Sequence, residues 1–545
     1  MKRRVLVTFG GVLLLVGAFI APARAQESTA NPEIEKLKAQ LAAQQEQIDQ
    51  LRRAMDDEKA ALDQASRPKP PSLGEVASIT PVIPPSNTPA VLHPGLAAAL
   101  APPQASDIPV SPLQIHIGTA TITPVGFMDM TEVFRSTNVG SSIGTNFGGI
   151  PFSNTPAGQL TESRLNAGNS RIGARVDAVV HGAHVIGYWE SDFLGNDAGS
   201  VAVTSNADTF RMRLYWVDVR KDKWEILGGQ SWSLMTPNRN GLSPLPGDLF
   251  YSQDFDTNYQ LGLTWARQPG FRFVYHPTKE ISWGLAFENA EQFGGGSGGG
   301  AAIVLPASLS SSYANQINTG GQTFADPNVG PDIITKVAFD PEVNGKHMHI
   351  EFGGLLSNFK VYNSVSSQSF SKTGGGGEAD FNLEMLKGFH LIANTFFSDG
   401  GGRYIFGLAP DLIVRPDGSL SLVHSYSTVD GFEYYTKKAV FYAYYGGADI
   451  GRNYSLDPAN KDAYVGYGFP GSSSTQNRII QEATFGVNPT FWKSPNYGGL
   501  SMFLQYSYLI RSPWAPPATG PRNANSSMVW VDLRYTLPGQ APNIQ

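Results

Sequence analysis

The sequence predicts an all-β transmembrane protein: an antiparallel outer-membrane β-barrel of about sixteen strands, preceded by a short N-terminal coiled-coil helix. Three observations predict it: strands with one apolar and one polar face, a secretory signal, and no later apolar run long enough for a spanning helix. In Ser170–Val180, Ile172, Ala174, Val176, Ala178 and Val180 fall on one face, and Arg171, Gly173, Arg175 and Asp177 on the other. In Phe210–Trp216, Met212, Leu214 and Trp216 are expected to oppose Arg211, Arg213 and Tyr215. A period of two is a strand with two different surroundings. Fixed cations on the polar face, in place of Thr, Ser and Lys, suggest a lumen lined by arginine.

The amino terminus supplies the second observation. Lys2, Arg3 and Arg4 precede an apolar run from Val5 to about Ile20, followed by Ala23-Arg24-Ala25. These are the charged, apolar and small-residue parts of a secretory signal peptide over residues 1–25, with cleavage expected before Gln26. A membrane anchor is the competing reading, but the apolar core is short and interrupted by glycine. No Cys follows the signal, which excludes a bacterial lipoprotein, and the 545 residues contain no Cys at all. That fits an envelope protein without a disulfide framework. The third observation is that no later stretch approaches the roughly 18 apolar residues of a spanning helix. A mature chain that crosses a membrane must then do so as a closed barrel. The net charge is −6, and losing Lys2, Arg3, Arg4 and Arg24 with the signal leaves about −10. No nucleic-acid partner is expected of so acidic a chain.

Residues 26–65 read as a periplasmic coiled-coil helix. Asn31 suits a cap and Pro32 the first helical position. Ile34, Leu37, Leu41, Gln44, Ile48, Leu51, Met55, Glu58 and Leu62 alternate steps of three and four, a heptad seam. The seam leaves dimer against trimer open, and an isolated amphipathic helix is the alternative. Residues 66–112 form a Pro-rich linker, since proline at that density blocks both helix and sheet and favours extended coil.

Residues 113–545 are assigned to the barrel. Candidate strands lie near 121–135, 169–181, 183–194, 208–220, 223–234, 258–268, 270–277, 280–289 and 333–340. Others lie near 346–358, 377–387, 388–398, 402–415, 418–429, 432–446, 475–490, 497–511 and 526–537. Several are separated by one to three residues, which demands tight hairpins and antiparallel neighbours. Others are joined by long polar stretches, notably 136–168, 235–257, 290–332 and 447–474. Short turns alternating with long loops is the periplasmic–extracellular asymmetry of an outer-membrane barrel. Apolar faces such as Ile281, Trp283, Leu285 and Phe287, or Val529, Val531, Leu533, Tyr535 and Leu537, are expected to face lipid. The last strand is similar to the signal read by the barrel assembly machinery, although eight residues follow it.

Several segments resemble the DcaP-like outer-membrane porin family. They are Arg213-Leu-Tyr-Trp-Val-Asp218 with Leu227-Gly-Gly-Gln-Ser-Trp-Ser233, and Arg403-Tyr-Ile-Phe-Gly-Leu-Ala-Pro-Asp-Leu-Ile-Val-Arg-Pro-Asp-Gly418. Tyr444-Tyr-Gly-Gly-Ala-Asp-Ile-Gly-Arg-Asn453, Gln481-Glu-Ala-Thr-Phe-Gly486 and Gln505-Tyr-Ser-Tyr-Leu-Ile-Arg-Ser-Pro-Trp514 complete the set. Their order along 113–537 is more telling than any one of them. The resemblance implies a homotrimer of sixteen-stranded barrels, each passing small anionic solutes such as dicarboxylates.

The candidate pore-lining residues are Arg171, Arg175, Arg211, Arg213, Arg239, Arg272, Arg478 and Arg534. Guanidinium stays charged at any working pH and grips carboxylate bidentately, so a ladder of arginines favours anion entry. The alternative is that they form structural salt bridges with Asp177, Glu190, Asp192 and Asp218. The 235–257 stretch, with Arg239, Asp248, Asp254 and Asp256, is long enough to fold inward as a constriction or to remain an exposed loop. Asp254-Phe-Asp-Thr-Asn258 lacks the twelve-residue calcium-loop pattern. His347 and His349 share a strand face with no third ligand nearby, so no metal or cofactor is expected. Gly294–Gly300 and Gly374–Gly377 read as flexible loop tips rather than phosphate cradles. No catalytic motif stands out, which leaves an envelope tether with the barrel as its anchor as the alternative function.

Overall fold

A computed structural model describes residues 111–538, apart from 196–208, 243, 245–249 and 321–326. The expected signal peptide, coiled-coil helix and most of the linker lie outside the described residues. The described residues form a closed antiparallel barrel of 16 strands. In chain order these are β1 (Ala120–Arg135) and β2, which is Glu162–Asn166 continued by Arg171–Val180. Then come β3 (Ala183–Gly195), β4 (Thr209–Lys221), β5 (Trp224–Trp232), β6 (Arg267–Tyr275), β7 (Ile281–Glu288) and β8 (Asp332–Phe339). The second half is β9 (Lys346–Asn363), β10 (Gln368–Leu386), β11 (Phe389–Asp399), β12 (His424–Tyr435), β13 (Ala439–Ile450), β14 (Asn477–Ser494), β15 (Gly498–Pro513) and β16 (Ala524–Thr536). Each pairs with its chain neighbours, and β16 closes on β1 with Arg534 opposite Asp129. Closure leaves no open edge, the condition for a sheet in hydrocarbon.

The alternation expected from the sequence holds on most strands. Met128, Met130, Ile172, Phe271, Trp283, Phe397, Phe485, Val531 and Leu533 are exposed on the outer face, while Thr131, Arg175, Asp192, Glu351, Ser507 and Asp532 are buried inside. On β4 the expectation fails midway. Leu214 and Trp216 are buried with Arg213, and Tyr215 is the exposed residue. The register slips between Glu190 and Ser191 of β3, which face Leu214 and Met212, so Arg213 has no opposite number. This β-bulge shifts the phase by one residue and turns two apolar side chains into the lumen behind Arg213.

Two of the expected strands do not span. Residues 258–268 mostly run through a loop inside the barrel, and 402–415 belong to a long loop with a short ribbon, Leu412–Val414 on Leu420–Leu422. Removing them shifts the next hairpin, whose turn falls at 436–438 rather than 430–431. Gly374–Gly377 is no loop tip: all four residues lie within β10, paired on both sides in part. A Cβ at Gly374 would meet the Asp399 carbonyl oxygen at 2.4 Å, and one at Gly376 the Phe397 carbonyl oxygen at 2.6 Å. Gly294–Gly300 is also packed rather than free, for Gly148 donates to the Gly298 carbonyl at 2.8 Å.

Candidate functional site: loop 3 against the arginine wall

The described residues of the segment between β5 and β6, 233–266 or loop 3, fold into the lumen. A neck bond from Ser233 N–H to the Ala266 carbonyl (2.9 Å) holds its ends together. Its outward limb crosses to β9 and β12. There Asn238 donates to Glu351 (3.2 Å), and Arg239 grips Glu433 through both Nη atoms at 2.7 and 2.8 Å. The return limb lies against β12 and β13, where Gly262 approaches the Thr428 and Gly447 backbones too closely for any Cβ and takes φ +93°. Only glycine adopts that angle at no steric cost. Of the two readings of 235–257, the inward fold is the one observed.

The tip of loop 3 meets a wall of arginines from β2, β4 and β6. Asp256 accepts from Arg171 and from Arg213 Nη1 (2.6 Å). Arg213 also reaches Asp192 (2.7 Å) and Glu190 (2.7 Å), while Arg211 makes two bonds to Asp192, at 2.7 and 2.9 Å. Burial opposes ionisation of Asp256, but the guanidiniums of Arg213, Arg171 and Arg211 override it and hold the carboxyl well below the usual range. The partners are unevenly exposed. The Arg211 side chain is 28% exposed, whereas those of Asp192 and Asp256 are 0% and 1%.

The other predicted arginines are dispersed. Arg175 pairs with Asp177 (2.6 Å), Arg534 bridges Asp129 (2.9 Å) and Asp532 (2.8 Å), and Arg272 donates to the Trp232 carbonyl (2.5 Å). Arg478 lies apart from them, exposed at a register slip at the start of β14 and over the ring of Trp514. Salt bridging, the alternative weighed for these cations, thus describes Arg171, Arg175, Arg211, Arg213, Arg239 and Arg534. Asp218 is taken by Arg220 instead (2.7 Å). His349 Nδ1 donates to Asp340 (2.6 Å) and His347 Nε2 to the Arg239 carbonyl (3.3 Å), so each has a partner.

Sequence reasoning missed Arg267. It opens β6, and its guanidinium lies over Trp232 at 5.4 Å and Trp265 at 5.7 Å. Its Nη1 is buried with no hydrogen-bond partner, and no carboxylate stands within ion-pair distance among the described residues. The available signal was its spacing of two from Trp265, hidden because 258–268 read as one wall strand. On the opposite wall the balance is reversed: Lys336 is enclosed by Glu351 (3.0 Å), Glu378 (2.6 Å) and Asp380 (3.8 Å). That group is sealed from solvent, with side chains at most 3% exposed.

A closed barrel with a long loop folded into its interior is found among solved structures. The outer-membrane channel DcaP of Acinetobacter baumannii aligns over 77% of this chain and 98% of its own, at 15% identity and TM-score 0.55. The fold is that of an outer-membrane porin. The anion-selective porin from Comamonas acidovorans aligns over 76% of this chain and 99% of its own (12% identity, TM-score 0.43). OmpT of Vibrio cholerae covers 78% and 99% (10% identity, TM-score 0.41). No family model and no curated protein matches the chain.

Proposed function

We propose that this porin lets small solutes diffuse passively across the outer membrane with a preference for anions, dicarboxylates among them. One observation carries the reading: where loop 3 meets the wall, Arg211 is the charge most open to water, at 28%, while its partners Asp192 and Asp256 stand behind it at 0% and 1%. Arg171, Arg211, Arg213 and Arg267 surround Glu190, Asp192 and Asp256, so cations outnumber anions, and Arg267 has no carboxylate of its own. A solute at this point meets Arg211 rather than Asp192 or Asp256, with Arg267 adding its charge from behind. Charged side chains presented to a narrow aqueous path set the sign of the permeant ion. The resemblance adds assembly into a homotrimer, with outer-membrane lipid around it and the N-terminal heptads bundled in the periplasm.

Reversal potentials in asymmetric salt test the charge sign, and insertion in steps of three tests the trimer. Arg211→Gln combined with Arg267→Gln should weaken or abolish anion preference. Arg213 is the poorer choice for this test, because it is fully buried and holds loop 3 in place. Cation selectivity in the wild-type channel at neutral pH would remove the anion assignment while leaving the pore intact.

A further inference from the structure

Away from the arginine wall, loop 3 meets β14 and β15 through two carboxyl groups. Asp254 accepts from Gln505 Nε2 (2.6 Å) and Ser507 Oγ (2.8 Å), both at Oδ1. Glu482 on β14 accepts from Gln260 Nε2 (3.2 Å) and the Leu261 N–H (3.4 Å), both at Oε2. Each carboxyl therefore keeps one oxygen, Asp254 Oδ2 and Glu482 Oε1, that is buried and receives no donor. The residues are 0% and 1% exposed, and the two carboxyl groups lie within hydrogen-bonding reach of one another.

Thr484 of β14 is also within reach of Asp254, but its hydroxyl is paired with Ser507 Oγ (3.0 Å). Tyr442 of β13 donates to Gln505 Oε1 (3.1 Å) rather than to the pair, and Tyr259 of loop 3 also faces it. Arg135 of β1 faces Asp254 but is bonded to Glu162 (2.9 Å), and Asp256 belongs to the arginine wall. Asp129 and Asp532, the neighbouring carboxylates on β1 and β16, are bridged by Arg534, whereas no cation is within ion-pair distance of Asp254 or Glu482 among the described residues. Two dehydrated carboxylates placed together cannot both ionise, and one proton between them gives each bare oxygen its partner.

We propose that Asp254 and Glu482 share a single proton, that this proton fastens the tip of loop 3 to the β14–β15 wall, and that its loss frees the tip and alters the open state of the channel. The inference rests on the channel reading but not on anion preference. Burial pushes the Asp254 carboxyl up to about 7, while a released loop would return it to about 4. A raised acid favours the latched form at low pH. The fastening is complete below about pH 4 and weakens by up to about tenfold per unit as pH rises, until the latched carboxyl itself ionises.

The test is single-channel recording of the full chain from about pH 5 to about pH 9, a range that spans this ionisation. The wild-type channel should fluctuate more between conductance levels as pH rises. Asp254→Asn and Glu482→Gln, whose amides donate permanently, should each flatten that profile, which a response arising from His347, His349 or His390 would not do. A disulfide between Gln253→Cys and Gln505→Cys, in a chain with no other cysteine, should also flatten it and restore it on reduction. Infrared spectra should show a protonated-carboxyl band in the wild type at the acid end that is missing in Asp254→Asn. A wild-type pH profile unchanged by Asp254→Asn, or no such band, overturns the shared proton; a chain that forms no pore at all overturns the channel reading instead.

Discussion

Replacing Arg213 by alanine should destabilise the barrel by about 3–5 kcal/mol, the cost of removing one member of a buried charge network. The side chain is fully buried and bonded at once to Glu190, Asp192 and Asp256, at 2.7, 2.7 and 2.6 Å. Without it three carboxylates remain in a dehydrated site, with Arg171 and Arg211 only partly placed to answer them. The loss is read as a shift in the unfolding midpoint of the refolded protein, alongside a noisier channel as Asp256 loses its main anchor. Arg213→Lys should rescue little, since one ammonium cannot reproduce a planar fork aimed at three partners. Arg164→Ala is the comparison: that side chain is 49% exposed and 3.4 Å from Glu162, so its removal should cost no more than about 1 kcal/mol. Equal costs for the two substitutions would deny the wall its structural role.

The second large effect is expected at Gly446. A Cβ there would sit 1.9 Å from the Leu261 carbonyl oxygen, inside the return limb of loop 3. Gly446→Val should keep that limb off the β13 wall, enlarge the conductance and broaden its fluctuations. Valine suits a strand better than glycine does. In a chain shortened by removal of residues 236–262 the same substitution should therefore be harmless or mildly stabilising. If it lowers stability equally in both backgrounds, the glycine is required by β13 itself and not by the loop.

These two residues show what the sequence conveyed and what it could not. Alternation along Arg171–Val180 and Ile281–Glu288 reports local surroundings, so the barrel and its two faces were readable from single strands. The Arg213 bulge was not, because a phase slip depends on the partner strand, and Leu214 and Trp216 keep a perfect alternation on paper. The glycines at 374–377 look like a flexible loop tip until the Asp399 and Phe397 carbonyls are placed beside them. Loop 3 was recognised as long enough to turn inward, yet its contacts join residues as far apart as Asp254 and Ser507. No local pattern encodes such a pairing. The arginines were nominated from single strands, and only the position of Asp256 shows that Arg171, Arg211 and Arg213 converge while Arg267, which was not nominated, is left without a carboxylate.

Near the seam of the barrel, Ser111 Oγ donates to the Pro538 carbonyl at 2.9 Å, although the two residues are 427 positions apart in the chain. Leu537 N–H likewise bonds to the Gly126 carbonyl at 3.0 Å. In connectivity the described part of the molecule is thus almost a ring, cut at one point on its short-turn rim. A peptide link between these ends, with new termini opened in the 514–523 loop, would yield the same cylinder with β16 as its first strand and β15 as its last. Which strand is threaded last is therefore a property of the gene's starting point, separable from the geometry that the finished wall imposes.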